Sequence, residues 1–310
     1  MVPRITEDSN KQPISARFFW PIFIAGSQYS AASHLNLPDF FPICSNTNEV
    51  LTLAERAASL NLGGIILYEL LPLKTENASS SLQNDTLLIN SLRALQKEFP
   101  ELLTVVDLCV CQYRKDSHCR IDMDEKQTTQ HLLRQAALLL DSGAKGLMPS
   151  AMIPNFSRTL REWSDKSRDT TPFIISQSAK FNSPLFSPFR SSEAMNTTLD
   201  KSAYQLDARD TALALSFIAA ELEGGADCTL IKPGLAFLDV LQEARATHAS
   251  QTLGSFLTSG EHQLLGILAA STGKKDPLHY LYAAAEALLD AGTDVIVSYS
   301  ADNLVQNLFT

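Results

Sequence analysis

From residue 18 to residue 301 the chain alternates between short apolar runs and longer segments with apolar residues at helical spacing, eight of each. The apolar runs are 18–26, 64–71, 102–110, 146–151, 172–179, 228–233, 252–259 and 294–301. The amphipathic segments are 48–61, 83–98, 127–142, 155–167, 208–224, 236–247, 260–271 and 278–291, the third stopped by Gly143. Eight strands alternating with eight helices admit two architectures, a closed (β/α)8 barrel or a large doubly wound sheet. A doubly wound sheet draws its usual support from a glycine-rich fingerprint after the first strand, and this chain has none. "STGKK" at 271–275 does not supply a phosphate loop either, because the glycine required five residues before Gly273 is Leu268. The expected fold is α/β: a (β/α)8 TIM barrel over 18–310, preceded by a short N-terminal arm, 1–17. A length of 310 residues is common for one such barrel.

Two segments break the alternation. Residues 1–17 read as a polar, structureless arm. Residues 181–207, rich in Ser, Pro and Asn, join the fifth strand to its helix. Loops this long inside compact domains are usually lids or binding loops, so an active-site lid is expected at about 181–207. In a barrel the loops after the strands build the active face, which places chemistry at strand C-terminal ends.

Composition excludes some partners. A net charge of −9 offers no basic face for nucleic acid. No stretch reaches the roughly 20 apolar residues of a membrane span. "FFWPIFIAG" is short, contains Pro21 and follows a mixed polar lead, so it reads as a buried strand rather than a signal peptide. With five cysteines, a small and odd number, a reducing compartment fits and a cytoplasmic address is expected.

The strand ends carry two lysines, Lys180 and Lys232. Burying an ammonium at the end of an apolar strand favours the neutral amine, and a second lysine at the same mouth adds like-charge repulsion. A neutral amine is the form that attacks a ketone to give a Schiff base. For either lysine alone, the competing reading is a side chain that snorkels to solvent. Asp107, Cys109 and Cys111 lie at the end of the third strand, Ser259 ends the seventh, and Tyr299 lies near the end of the eighth.

"DLCVCQYRKDSHC", residues 107–119, gathers three of the five cysteines. A disulfide, a metal site and coincidence compete to explain it. The expected compartment disfavours the disulfide. Cys109 and Cys111 alternate on an extended strand and point the same way, and Cys119 can return over them. Three thiolates with an open fourth position suit a zinc ion that binds water or substrate, although C-x-C-x7-C is not a common structural zinc spacing. Cys44 and Cys228 read as ordinary buried thiols, and His118 and His262 as ordinary histidines.

These residues also carry a family resemblance. "DLCVCQYRKDSHC", "SQSAKFNSPLFSPFR", "DKSAYQLD", "ADCTLIKPGLAFLD" and "SGEH" with "DVIVSY", in that order, resemble the zinc-using form of the 5-aminolevulinate dehydratase (porphobilinogen synthase) family. The resemblance runs from about Phe18 to Leu308. It implies a (β/α)8 barrel, a homo-oligomer between dimer and octamer, and condensation of two 5-aminolevulinate molecules to porphobilinogen with loss of two waters. It implies that Lys232 holds the first substrate with Lys180 as its partner, and that Cys109, Cys111 and Cys119 bind Zn2+. Ser259 and Tyr299 match the groups on one substrate carboxylate, and Arg190 and Lys201 the basic pair on the other. Gln205 matches a polar active-site residue, and Asp107 an acid near the chemistry.

The chain departs from the family at "SAMIPNF", where the usual run is Ser-Asp-Met-Met-Asp-Gly-Arg, so Ala151 replaces an acid. Phe186 stands where a lid tyrosine is common. The arm lacks the family's arginine-rich motif, and no glutamate for an allosteric magnesium follows Asp207. Two alternatives stay open at this point: a paralogue acting on another amino-ketone acid, and a non-catalytic relative that binds metal or ligand.

Overall fold

A computed structural model describes residues 13–26, 38–71, 74–190, 200–273 and 276–308. All eight expected strands form, joined by one very short extra strand. They are β1 (Phe18–Ala25), β2 (Ile43–Cys44), β3 (Gly64–Leu70), β4 (Thr104–Leu108), β5 (Gly146–Pro149), β6 (Phe173–Lys180), β7 (Cys228–Lys232), β8 (Leu253–Phe256) and β9 (Val295–Val297). Every pairing is parallel and sequential from β3 to β9, and β9 returns to β1, closing the (β/α)8 barrel. One edge of β1 pairs with β3 along its length. The opposite edge changes partner: Phe18 and Phe19 face Ile296 and Val297 of β9, whereas Phe23 and Ile24 face Ile43 and Cys44 of β2.

Strand alternation sorts the apolar residues into two cores. Phe19, Ile66, Val105, Met148, Ile175, Leu230, Phe256 and Val297, one from each barrel strand, fill the interior and are fully buried. The opposite faces pack against α1 (Thr47–Ser59), α2 (Leu87–Glu98), α3 (Glu125–Asp141), α4 (Phe156–Ser167), α6 (Thr211–Glu223), α7 (Leu238–Thr247), α8 (Ser259–Ser271) and α9 (Leu278–Asp290), with α10 (Ala301–Leu308) closing the chain. Each fully buried large apolar side chain contributes about 1.5–3 kcal/mol.

The helices begin where the sequence provides caps. Asn46, Thr86, Asp124 and Asp210 each accept a hydrogen bond from the first turn of α1, α2, α3 and α6. Thr86 accounts for the later start of the second helix, expected from residue 83, since a 3-10 turn occupies Ser79–Leu82. At α4 the cap residue Asn155 has a left-handed backbone and makes no side-chain cap bond. The buried Glu221 of α6 takes its place, accepting from Phe156 N (3.0 Å) and Ser157 N (3.1 Å).

Three strand ends differ from the sequence expectation. β4 stops at Leu108, so Cys109 and Cys111 lie beyond it in a turn. Ser259 is the first residue of α8 rather than the end of a strand, because Thr258 and Glu261 form a capping box there. Tyr299 lies two residues past β9. The arm is not structureless throughout: Ile14–Arg17 form a 3-10 turn, and Arg17 Nε donates to Asp294 O at 3.1 Å. Residues 1–12 of that arm, and 191–199 of the expected lid, lie outside the described residues. The described part of the expected lid contains a 3-10 turn, Pro184–Phe186, and a four-residue helix, α5 (Ser187–Arg190). That turn sits on the start of α8 where residue 260 is glycine; a Cβ there would collide with the Leu185 carbonyl.

Candidate active site

The two lysines end adjacent strands in the same register, Lys180 of β6 opposite Lys232 of β7. Both line one cavity of about 70 Å³ at the C-terminal ends of the strands, together with Asp107, Cys111, Arg190, Lys201 and Gln205. Lys180 Nζ donates to Ser150 O at 2.9 Å. Lys232 Nζ sits 3.6 Å from the centre of the Phe256 ring, which provides no acceptor strong enough to hold a proton on the amine. Burial therefore drives the Lys232 pKa well below the ordinary lysine value, and the Lys180 ammonium adds to the shift.

Asp107 projects inward from β4 and is the one carboxylate among the described cavity-lining residues. Burial pushes its pKa up to about 6, against the opposing pull of Lys180. Its Oδ1 atom has no hydrogen-bond partner. An unpartnered buried carboxylate oxygen facing two amines is a group placed to exchange protons with whatever enters.

Cys109, Cys111 and Cys119 are all buried, and their sulfurs lie within 4.8 Å of one another. With Zn–S bonds of about 2.3 Å, sulfurs this close converge on one ion with little movement. Hydrogen bonds from Cys109 and then Cys111 lower the Cys119 pKa well below the ordinary thiol value. Three buried sulfurs converging in this way form a donor set that fits a soft divalent cation.

The segment 181–207 supplies two cations. Arg190 Nη2 donates to Gln205 Oε1 at 2.7 Å, and the Arg190 guanidinium lies 4.7 Å from the centre of the Phe186 ring. Lys201 Nζ contacts Cys119 Sγ at 3.4 Å. Burial works against the Lys201 charge, but Cys119, Cys111 and Cys109 outweigh it and raise its pKa.

Ser259 and Tyr299 are not among the residues lining this cavity. Ser259 Oγ accepts from Phe189 N at 3.3 Å, and Tyr299 packs in an aromatic cluster with Phe23, Phe40 and Phe41. Phe189 reaches that cluster through Phe23 and also lines the cavity, so it stands between the two regions. Ala151 faces a separate, water-sized void beside Glu221. His262 bridges Thr258 O and Ser298 Oγ, and Cys44 and Cys228 are buried and unpaired.

Tyr68, Gln177, Ser150 and Gln112 also line the cavity and escaped the sequence reading. Tyr68 and Gln177 did leave a signal, as polar atoms at inward positions of otherwise apolar strands. Ser150 directly follows β5 and Gln112 lies in the turn past β4, and neither left a signal.

The delta-aminolevulinic acid dehydratase family model matches residues 6–307. The delta-aminolevulinic acid dehydratase of Bradyrhizobium diazoefficiens is 27% identical over 299 residues, covering 94% of this chain and 84% of the relative. That of Archaeoglobus fulgidus is 27% identical over 295 residues, covering 93% and 89%. The structure of the Toxoplasma gondii delta-aminolevulinic acid dehydratase (porphobilinogen synthase), in complex with the reaction product porphobilinogen, superimposes with a TM-score of 0.84 at 26% identity, covering 94% of this chain and 84% of that one. A 7,8-dihydropteroate synthase from Vibrio fischeri, at TM-score 0.51 and 14% identity over 94% of this chain and 89% of its own, shares the fold alone. With barrel, paired lysines and thiol cluster in place, the chain belongs to the delta-aminolevulinic acid dehydratase family and is an enzyme of its hydro-lyase class.

Proposed function

We propose that the chain condenses two molecules of 5-aminolevulinate to porphobilinogen with loss of two waters. The observation that carries this is the lysine pair: two amines in register on adjacent strands, sharing one cavity with a buried carboxylate. The depressed pKa of Lys232 keeps its amine able to attack a ketone. The new C=N bond replaces C=O, and the oxygen leaves as water once protonated. Asp107 is the group placed to deliver and retrieve that proton. Lys180 forms the same bond with the second ketone. Closing the ring makes one C–N and one C–C bond between the substrates and returns both lysines, so the two ketone oxygens account for the two waters.

Arg190 and Lys201 bind one substrate carboxylate by charge-assisted hydrogen bonds, with Gln205 orienting Arg190. Ser259 and Tyr299 take the other, which requires Phe189 to yield. The cavity of about 70 Å³ is smaller than the ~150 Å³ void that holds a benzene, so entry requires the lid to open. Cys109, Cys111 and Cys119 hold zinc, which supplies Lewis acidity toward a substrate ketone or amine when bound.

A homo-oligomer, from dimer to octamer, and a cytoplasmic location belong to the same proposal. No helix among the described residues is long and apolar enough to cross a membrane. Incubation with 5-aminolevulinate and zinc should yield a pyrrole; folded, metal-loaded protein that makes none contradicts the assignment. Ala151, which stands where the family usually carries an acid and is not among the residues lining the lysine cavity, favours a second reading in which the substrate is another amino-ketone acid. Borohydride would then trap at Lys232 a ketone other than 5-aminolevulinate.

A further inference from the structure

Tyr204 lies in the lid base between Lys201 and Gln205, yet its hydroxyl is spent on the cysteine loop rather than on the cavity. The amide of Cys119 donates to Tyr204 Oη at 3.1 Å. The same oxygen lies within hydrogen-bond distance of His118 Nδ1, at 3.2 Å. The guanidinium of the buried Arg120 stands 5.0 Å from the centre of the tyrosine ring, and its Nη2 donates to Met152 O at 2.7 Å. Residues 118, 119 and 120 are thus all gripped by one side chain. One turn earlier, Lys201 Nζ contacts the sulfur of the same Cys119. The turn carrying both is closed on itself, with Gln205 N donating to Lys201 O at 2.9 Å, and it is tied to the strand end by Leu206 N donating to Lys180 O at 3.1 Å.

We propose that Tyr204 is a positioning residue that joins the metal site to the carboxylate-binding lid. By fixing the Cys119 backbone it sets where that sulfur stands relative to Cys109 and Cys111, and where the Lys201 ammonium stands relative to all three. This rests on the metal and carboxylate roles proposed above. Groups that orient a metal ligand from behind commonly change metal affinity by about 10–100-fold when removed. A group with one foot in each site also makes the two affinities depend on each other, and that dependence is reciprocal.

The test uses the full chain and two variants, Tyr204→Phe and Tyr204→Leu. Zinc affinity is measured by chelator competition with and without levulinate, a keto acid that has no amine and cannot complete the condensation. Cobalt loading, read by its thiolate charge-transfer absorption, reports the sulfur geometry directly. Tyr204→Phe should fold as wild type, bind zinc about 10-fold more weakly, shift the cobalt band, and lose most of the levulinate effect on zinc affinity. Tyr204→Leu should do the same more strongly. A Tyr204→Phe protein with wild-type zinc affinity and an unmoved cobalt band overturns the proposal. So does a fall in melting temperature with metal affinity unchanged in both variants, which marks a purely structural role. Wild-type protein that takes up no metal ends the metal assignment itself, and the coupling with it.

Discussion

Burial holds the Lys232 amine well below the usual lysine range, with Lys180 adding to it, and this has an energetic side as well as a chemical one. Between that lowered value and the unfolded value of 10.5, the unfolded chain carries a proton that the folded chain does not. Stability therefore rises with pH across this window, and the destabilisation is fully present below the folded pKa. Lys232→Met should abolish borohydride trapping of a ketone at this position and raise the melting temperature by a few degrees near pH 6. The gain should shrink as the pH approaches 9; a gain that stays constant with pH contradicts the assignment. Asp107→Asn removes the one carboxylate among the described cavity-lining residues. It should cost about 10²–10⁴ in turnover by steady-state rates, while calorimetry at neutral pH should find the melting temperature raised rather than lowered, because burial holds the Asp107 pKa up and the ionised carboxylate costs stability above it.

At the scale of elements, the most informative contacts are those that sequence periodicity cannot reveal. The strands were legible because each is a continuous apolar run, and four helices carried their own caps in Asn46, Thr86, Asp124 and Asp210. Lys180 and Lys232 were legible because charge at the end of such a run stands out. Glu221 was not: it is an ordinary glutamate on a helix whose partners, Phe156, Ser157 and Ser176, lie at least 45 residues away in sequence. The same holds for Tyr204 and Arg120, whose partners come from other loops. β2, at two residues, is too short for any periodicity to register. Glu221→Leu should leave the first amides of α4 and two serine hydroxyls without their acceptor. That predicts a loss of roughly 3 kcal/mol in denaturant unfolding, with the lysine pair still able to trap a ketone. A loss below about 1 kcal/mol would mean water takes over the cap.

For the whole molecule, the thiol cluster ties β4 and its loop to the lid base, so an ion held there acts on more than the site. A ligand bound only by the folded state stabilises it by about 2.7 kcal/mol at a hundredfold excess over its Kd. Stripping the zinc proposed for this site with a chelator should accordingly lower the melting temperature of the whole barrel in one transition, and re-addition should restore it. A separate early transition would show that the cysteine loop unfolds alone. The change of partner along β1 has a consequence of a different kind. Where a conventional staves-and-hoops closure would continue, the upper edge of β1 is stitched only to a two-residue strip through bonds such as Phe23 N to Pro42 O at 2.8 Å. The rim therefore has a seam between its first and last staves, and hydrogen–deuterium exchange should find the Phe23 amide trading protons sooner than its counterparts deeper in β1.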